Sequence, residues 1–257
     1  MNRMTVSFIT GSGTGLGKRT AIELAAKGSH LVLNYVNSEE KTRKLALSLE
    51  KTYGINTLVL KGDISRFEDC QSMVSQAMEH FGQIDILVNN AGPYVFERKK
   101  MVDYEIEEWN YMINGNLNSV FYLCKLIIPF MRKQGWGRVV NIGFDRAETA
   151  PGWKYRSAFA AAKAGLVSLT KTLALEEAKN KITVNMVCPG DIIGEWKEAD
   201  IEQAKAQMDE ATPVQRAGTG EDIARTICFL CEERSDFITG AVISVTGGKD
   251  VLAKVKE

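Results

Sequence analysis

The chain has 257 residues, with 32 Lys and Arg against 32 Asp and Glu, so its formal net charge is zero. Hydrophobic content of 45% and charged content of 25% are ordinary for a globular protein, and the length is ample for a sizeable core in one large domain or two small ones. The neutral balance argues against a nucleic-acid or anionic-membrane binder, which needs excess positive charge. No run approaches the roughly 18–20 consecutive apolar residues of a membrane span. The opening MNRMTVSFIT runs directly into a strand-like segment, which leaves no room for a signal peptide, and five cysteines is an odd, sparse count that fits reduced thiols. A soluble, cytoplasmic protein is therefore expected.

In chain order, an apolar strand-like run over 4–9 leads into a glycine cluster and a helical stretch over 16–27. A second strand over 31–36 precedes a charged helix over 38–51, and a third strand over 57–60 precedes a helix over 67–81. A fourth strand spans 84–88, and periodicity then predicts one long helix over 106–134 ahead of a fifth strand at 138–142. A second long helix covers 156–179 and a sixth strand 182–187. After Pro189-Gly190 come helices near 198–208 and 221–232 and a last strand at 241–245. Seven strands joined by helical crossovers predict an α/β fold, a single doubly wound domain whose parallel sheet carries helices on both faces. The strands are apolar almost throughout, as strands buried on both faces are. The polar tail 249–257 reads as frayed or packed on a neighbouring subunit.

Thr10-Gly11-Ser12-Gly13-Thr14-Gly15-Leu16-Gly17 follows the first strand and opens the first helix. Glycines there let the chain turn sharply and bring a pyrophosphate close to backbone N–H groups at a helix N-terminus. The spacing fails G-x-G-x-x-G and the P-loop pattern but fits T-G-x-x-x-G-x-G, a more specialised dinucleotide loop. Asp63 follows the third strand, Asn89-Asn90-Ala91-Gly92 the fourth, and Pro189-Gly190 the sixth, while Asn116 lies in the long helix.

With these motifs at matching intervals, the chain resembles the short-chain dehydrogenase/reductase family over essentially its whole length. Within that family it is most similar to bacterial 3-oxoacyl-acyl-carrier-protein reductases, through the segments 212–218, 221–224, 237–240 and 246–248. The resemblance implies a Rossmann-type fold with an NAD(P) site at the C-terminal ends of the strands. Gly11, Ser12, Thr14, Gly15, Leu16 and Gly17 would surround the phosphates and Tyr35, Asn37 and Ser38 the ribose. Asp63 and Ile64 would contact the adenine, with Asn90, Ala91 and Gly92 bordering the adenosine. Asp63 equally suits a carboxylate at the N-terminus of the next helix. Lys163, Pro189, Gly190 and the backbone of Ile192 would border the nicotinamide end; Gly194 stands where relatives commonly carry a threonine.

No carboxylate follows the second strand, which favours NADP(H) over NAD(H) by removing repulsion of a 2′-phosphate. The arginine that NADP-preferring relatives often place beside the glycines is absent, Thr14 standing there. Asn37 and Ser38 are the groups left to hold a phosphate, with Lys41 or Arg43, which otherwise read as solvated helix charges.

At the catalytic end the family pattern breaks. Relatives use a tyrosine hydroxyl as general acid/base, a lysine one helical turn later, a serine that polarises the carbonyl, and a helix asparagine. Lys163 and Asn116 match, whereas Phe159 stands at the tyrosine position and Phe144 at the serine position. Tyr155, four residues before Phe159, is the candidate substitute acid if the helix extends back that far. Asp145, Arg146 and Glu148 read as loop charges, and the loop from Phe144 to Phe159 is about two residues longer than its usual counterpart. Cys228 and Cys231 form a CxxC inside a helix without further ligands, so core thiols are expected and no metal site.

The expected function is an NAD(P)-dependent oxidoreductase acting on a small carbonyl or acyl-thioester substrate, with a degenerate catalytic site. The alternative is a non-catalytic nucleotide-binding sensor or a structural subunit of a hetero-oligomer. Family likeness implies a homo-oligomer, a dimer or homotetramer, paired through the two long helices, without nucleic-acid or membrane partners.

Overall fold

The computed structural model describes residues 4–94 and 97–250. Seven strands form one sheet in the order β3-β2-β1-β4-β5-β6-β7, every neighbouring pair parallel. They are β1 (Val6–Ile9), β2 (His30–Tyr35), β3 (Thr57–Lys61), β4 (Ile86–Asn89), β5 (Gly137–Ile142), β6 (Ile182–Pro189) and β7 (Val242–Val245). The helices are α1 (Gly15–Ala26), α2 (Glu39–Tyr53), α3 (Phe67–Phe81), α4 (Ile106–Ile113), α5 (Ser119–Gln134), α6 (Ser157–Glu177), α7 (Ile201–Lys205) and α8 (Gly220–Cys231). The doubly wound, Rossmann-type α/β architecture is the expected one.

Strand alternation divides the core in two. Phe8, Val32, Leu87, Val139 and Val184 point to the layer of α3, α5 and α6. Ile9, Leu33, Val88, Val140 and Val187 point to the layer of α1, α2 and α8. Both faces are thus sealed, and the strand ends are left as the place where loops meet. Helix α6 with its 3-10 extension, Ser157–Asn180, is long and apolar enough by composition to cross a membrane. It packs against β6 and carries buried Leu166, Val167 and Ala174 into the first core layer, the place of a core helix.

Two expected elements differ. The helix over 106–134 is interrupted by a π turn, Asn114–Asn118, between α4 and α5. The helix near 198–208 shrinks to the five residues of α7, started by a capping box of Asp200 and Gln203 and preceded by a 3-10 turn, Gly194–Lys197. Of the polar tail, 251–257 lie outside the described residues.

Candidate active site

The glycine loop is held from three sides. Thr10 Oγ1 accepts the N–H groups of Asn90 and Ala91, each at 2.9 Å, and Asn90 Nδ2 donates to Thr10 O at 2.8 Å. From β2, Asn34 Oδ1 accepts the Gly11 N–H at 3.0 Å while Asn34 Nδ2 donates to Gly62 O at 2.9 Å, so one buried amide ties three strand ends together. Sequence reasoning missed Asn34; its signal was a lone amide inside an otherwise apolar strand. Gly11 has φ +60°, and a β-carbon on Gly17 would fall 2.4 Å from Gly11 O, so only glycine lets α1 start this close to the loop. A β-carbon on Gly13 would meet Thr42 Oγ1 at 2.2 Å and Ser38 Oγ at 2.7 Å, which sets both hydroxyls against the loop.

Several expected cofactor residues are committed elsewhere. Ser12 is fully buried, with Oγ donating to Asn34 O at 3.3 Å, so its side chain braces the loop and does not face a ligand. Arg43 pairs with Glu39 at 2.9 Å on the exposed face of α2. Burial, with Glu39 beside it, raises the Tyr35 phenol above its ordinary range. Asp63 Oδ1 accepts both the N–H and the hydroxyl of Ser65, at 2.9 and 2.8 Å, which closes a turn just ahead of α3. The Ile192 N–H donates to Gly190 O at 2.9 Å, so that donor is not available to a carboxamide. Asn37 is exposed and Ser38 half-buried at the head of α2, while Ile64 is buried. Gly190 lies tight against β7, where a β-carbon would fall 2.8 Å from Thr246 Cα.

At the opposite end, Lys163 projects from α6 into the core. Its ammonium donates to Ile142 O at 2.7 Å, and Nζ lies 5.8 Å from the Phe159 ring centre. Burial pushes its pKa down to about 8, against a smaller opposing effect from Cys188. Asn116 sits on the π turn, where Nδ2 donates to Pro93 O at 2.9 Å and Met112 O at 3.0 Å. Its Oδ1 is buried without a partner among the described residues, beside the glycine at position 92.

Phe144 and Phe159 do not leave space behind. Phe144 packs at 5.1 Å on Trp153 and 5.8 Å on Phe159, and Tyr94 meets Phe159 edge-on at 5.1 Å, so four rings interlock. Arg156 closes the rim by donating Nε to the Tyr94 hydroxyl at 2.9 Å. Tyr94 was not expected here, since nothing in the sequence after Gly92 marks it.

Tyr155 lies outside the helix that carries Phe159 and Lys163. Helix α6 begins at Ser157, and Tyr155 precedes it with φ +66°, its carbonyl accepting from Arg156 Nη1 at 2.9 Å. The premise of a shared helical face therefore fails. Arg146, Ala150 and Tyr155 all have positive φ, so this one loop holds three strained non-glycine residues. Asp145 is not a surface charge: it is 4% exposed and accepts from Ser244 Oγ at 3.3 Å. Cys228 and Cys231 are buried, and desolvation raises both thiols, that of Cys228 to about 12, as for inert core residues.

A family profile described as enoyl-(acyl carrier protein) reductase matches residues 11–250. YtkK of Bacillus subtilis, provisionally named an oxidoreductase, is 51% identical over 98% of this chain and 98% of its own length. The 3-oxoacyl-acyl-carrier-protein reductase FabG of Staphylococcus epidermidis is 32% identical over 94% of this chain and 97% of its own. Among solved structures, a Bacillus thuringiensis protein provisionally titled a 3-oxoacyl-reductase superposes with a TM-score of 0.90 at 52% identity, covering 97% of this chain and 100% of that one. With a glycine loop, strand order and relatives of one kind, the chain belongs to the NAD(P)-using short-chain dehydrogenase/reductase family of oxidoreductases.

Proposed function

We propose that the protein binds NADP(H) in preference to NAD(H) and acts as an oxidoreductase on a small carbonyl, 3-oxoacyl thioesters foremost, by a proton path that lacks the family's serine–tyrosine pair. The observation that carries this reading is the contrast between the two ends of the site. Gly11, Gly13 and Gly17 let the loop turn tightly against Ala91, Thr42 and its own backbone at the start of α1, whereas Phe144 and Phe159 fill the other end with rings.

The residues present fit a dinucleotide at the glycine loop. Gly11, Thr14, Gly15, Leu16 and Gly17 would hold the pyrophosphate through the backbone, and Asn37 and Ser38, with Lys41 nearby, a 2′-phosphate. NADP(H) preference is supported by the absence of a carboxylate at 36–38. The cofactor would supply hydride. Lys163 would hold a proton there and the unpartnered Asn116 Oδ1 would accept from a ribose hydroxyl. A positioned general acid contributes about 10²–10⁴-fold in rate, and one donor to a developing oxyanion about 10²–10³-fold. Slow turnover is therefore expected. Exposed Phe121 on α5 and Leu175 on α6 support pairing of copies through the two long helices, and five free, buried cysteines support a cytoplasmic protein.

A second reading, a nucleotide-binding sensor or a structural subunit, is favoured by the four-ring cluster itself. Turnover separates the two. NADPH oxidation is measured against a panel of carbonyls including 3-oxoacyl thioesters, for wild type and for Phe144→Ser with Phe159→Tyr. The oxidoreductase reading expects slow wild-type turnover and at least about a tenfold gain in the double variant. Nucleotide binding with no turnover in either protein would leave the sensor reading.

A further inference from the structure

The strap between β6 and α7 reaches back over the glycine loop and puts a carboxylate on it. Glu198 follows the 3-10 turn Gly194–Lys197, and its Oε1 accepts the Gly15 N–H at 2.9 Å from 183 residues away in sequence. Its Oε2 pairs with the Lys18 ammonium at 2.6 Å. Gly15 is the first residue of α1, with φ +60°, and the preceding Thr14 makes no side-chain cap bond. One of the N–H groups that a helix start leaves unpaired, and that a dinucleotide loop turns toward phosphate, is thus capped by Glu198. The Lys197 side chain lies 3.8 Å from the place of a Gly15 β-carbon, so it too stands over the loop. Gly13, Lys18, Lys41 and Glu198 line one cavity of about 610 Å3. Burial opposes ionisation of Glu198, but Lys18 and the Gly15 N–H together hold its carboxyl below the ordinary glutamate range.

We propose that Glu198 is an affinity-determining residue of the cofactor site: its carboxylate engages the backbone N–H and the ammonium that a dinucleotide pyrophosphate would use, so the nucleotide binds only after displacing it. This rests on the dinucleotide reading above. Two anions cannot share these donors, so the site is competent only for the fraction of time in which Glu198 is away, and apparent affinity falls by that fraction. Because the pyrophosphate is common to both nucleotides, NADPH and NADH are affected alike. The strap has independent anchors: Lys197 O packs against Gly220, where a β-carbon would fall 2.0 Å away, and the Ile201 N–H donates to Glu221 Oε2 at 2.7 Å. Removing the carboxylate therefore leaves the strap attached.

The test is equilibrium titration of NADPH and of NADH, by nicotinamide fluorescence, on wild type, Glu198→Gln and Glu198→Ala. Both variants are expected to bind both nucleotides about three- to tenfold more tightly, the size of one charged contact at a helix N-terminus. Lys18→Met added to Glu198→Gln is expected to take that gain back, because the released ammonium then serves the phosphate. Binding that is unchanged or weaker in both single variants overturns the proposal. An absence of nucleotide binding by all the proteins refutes the dinucleotide reading itself.

Discussion

Replacing Lys163 by methionine keeps the length of the side chain and removes one buried charge. The ammonium has Ile142 O at 2.7 Å and the Phe159 ring as its neighbours, with no carboxylate paired to it among the described residues, and burial brings its pKa from 10.5 to about 8. At about 1.4 kcal/mol per pH unit, that displacement corresponds to about 3 kcal/mol of destabilisation by the charged form. Below pH 8 the amine is protonated in both the folded and the unfolded chain, so the folded protein carries the whole cost. Between pH 8 and 10.5 only the unfolded chain holds the proton, so this group makes stability rise with pH; above 10.5 the cost is gone. The hydrogen bond to Ile142 O, which methionine lacks, offsets about 1 kcal/mol. Urea denaturation should therefore find Lys163→Met about 2 kcal/mol more stable than wild type at pH 7, with the gap closing as pH rises from 8 toward 10. A variant that is less stable at pH 7, or a gap independent of pH, would refute the argument that desolvation governs this lysine.

Asn34→Ala should strand the Gly11 N–H and Gly62 O, costing about 2–3 kcal/mol in urea denaturation and weakening NADPH binding; full stability with unchanged affinity would mean that the loop holds itself. Glu177, buried on α6, accepts from Arg132 Nε at 2.8 Å and Asn180 at 2.9 Å, and the Arg132 guanidinium holds its carboxyl below the ordinary range. Its folded value is depressed, so it stabilises at neutral pH and that contribution is lost on acidification. With Arg132 more than half exposed, Glu177→Gln should cost only about 1 kcal/mol at pH 7, a deficit that thermal melts should find vanishing at low pH.

The sheet was legible because each parallel strand is an apolar run bounded by glycine, proline or a helix start, and burial on both faces leaves no other pattern to imitate. Helix boundaries near the site were not legible. A π turn at Asn116 leaves the apolar spacing on either side helical, so periodicity reads straight across it. The site residues that escaped the sequence reading act through contacts across long sequence separations: Asn34 reaches Gly11, Tyr94 reaches Phe159, and Glu198 reaches Gly15. Tyr155 was misread for a local reason. A helix face is defined only inside the helix, and the left-handed residues at Arg146, Ala150 and Tyr155 put the chain in loop geometry up to Arg156.

The π turn has a consequence for layering. One extra residue in a helical turn advances every later side chain by about 100° around the axis. Helix α4 turns toward α6, whereas α5 lays Leu123, Ile127 and Met131 into the layer with α3 and against β5. The break falls between these two partnerships. The irregular turn that holds Asn116 thus marks where one continuous rod passes from its contact with α6 to its contact with α3 and the sheet.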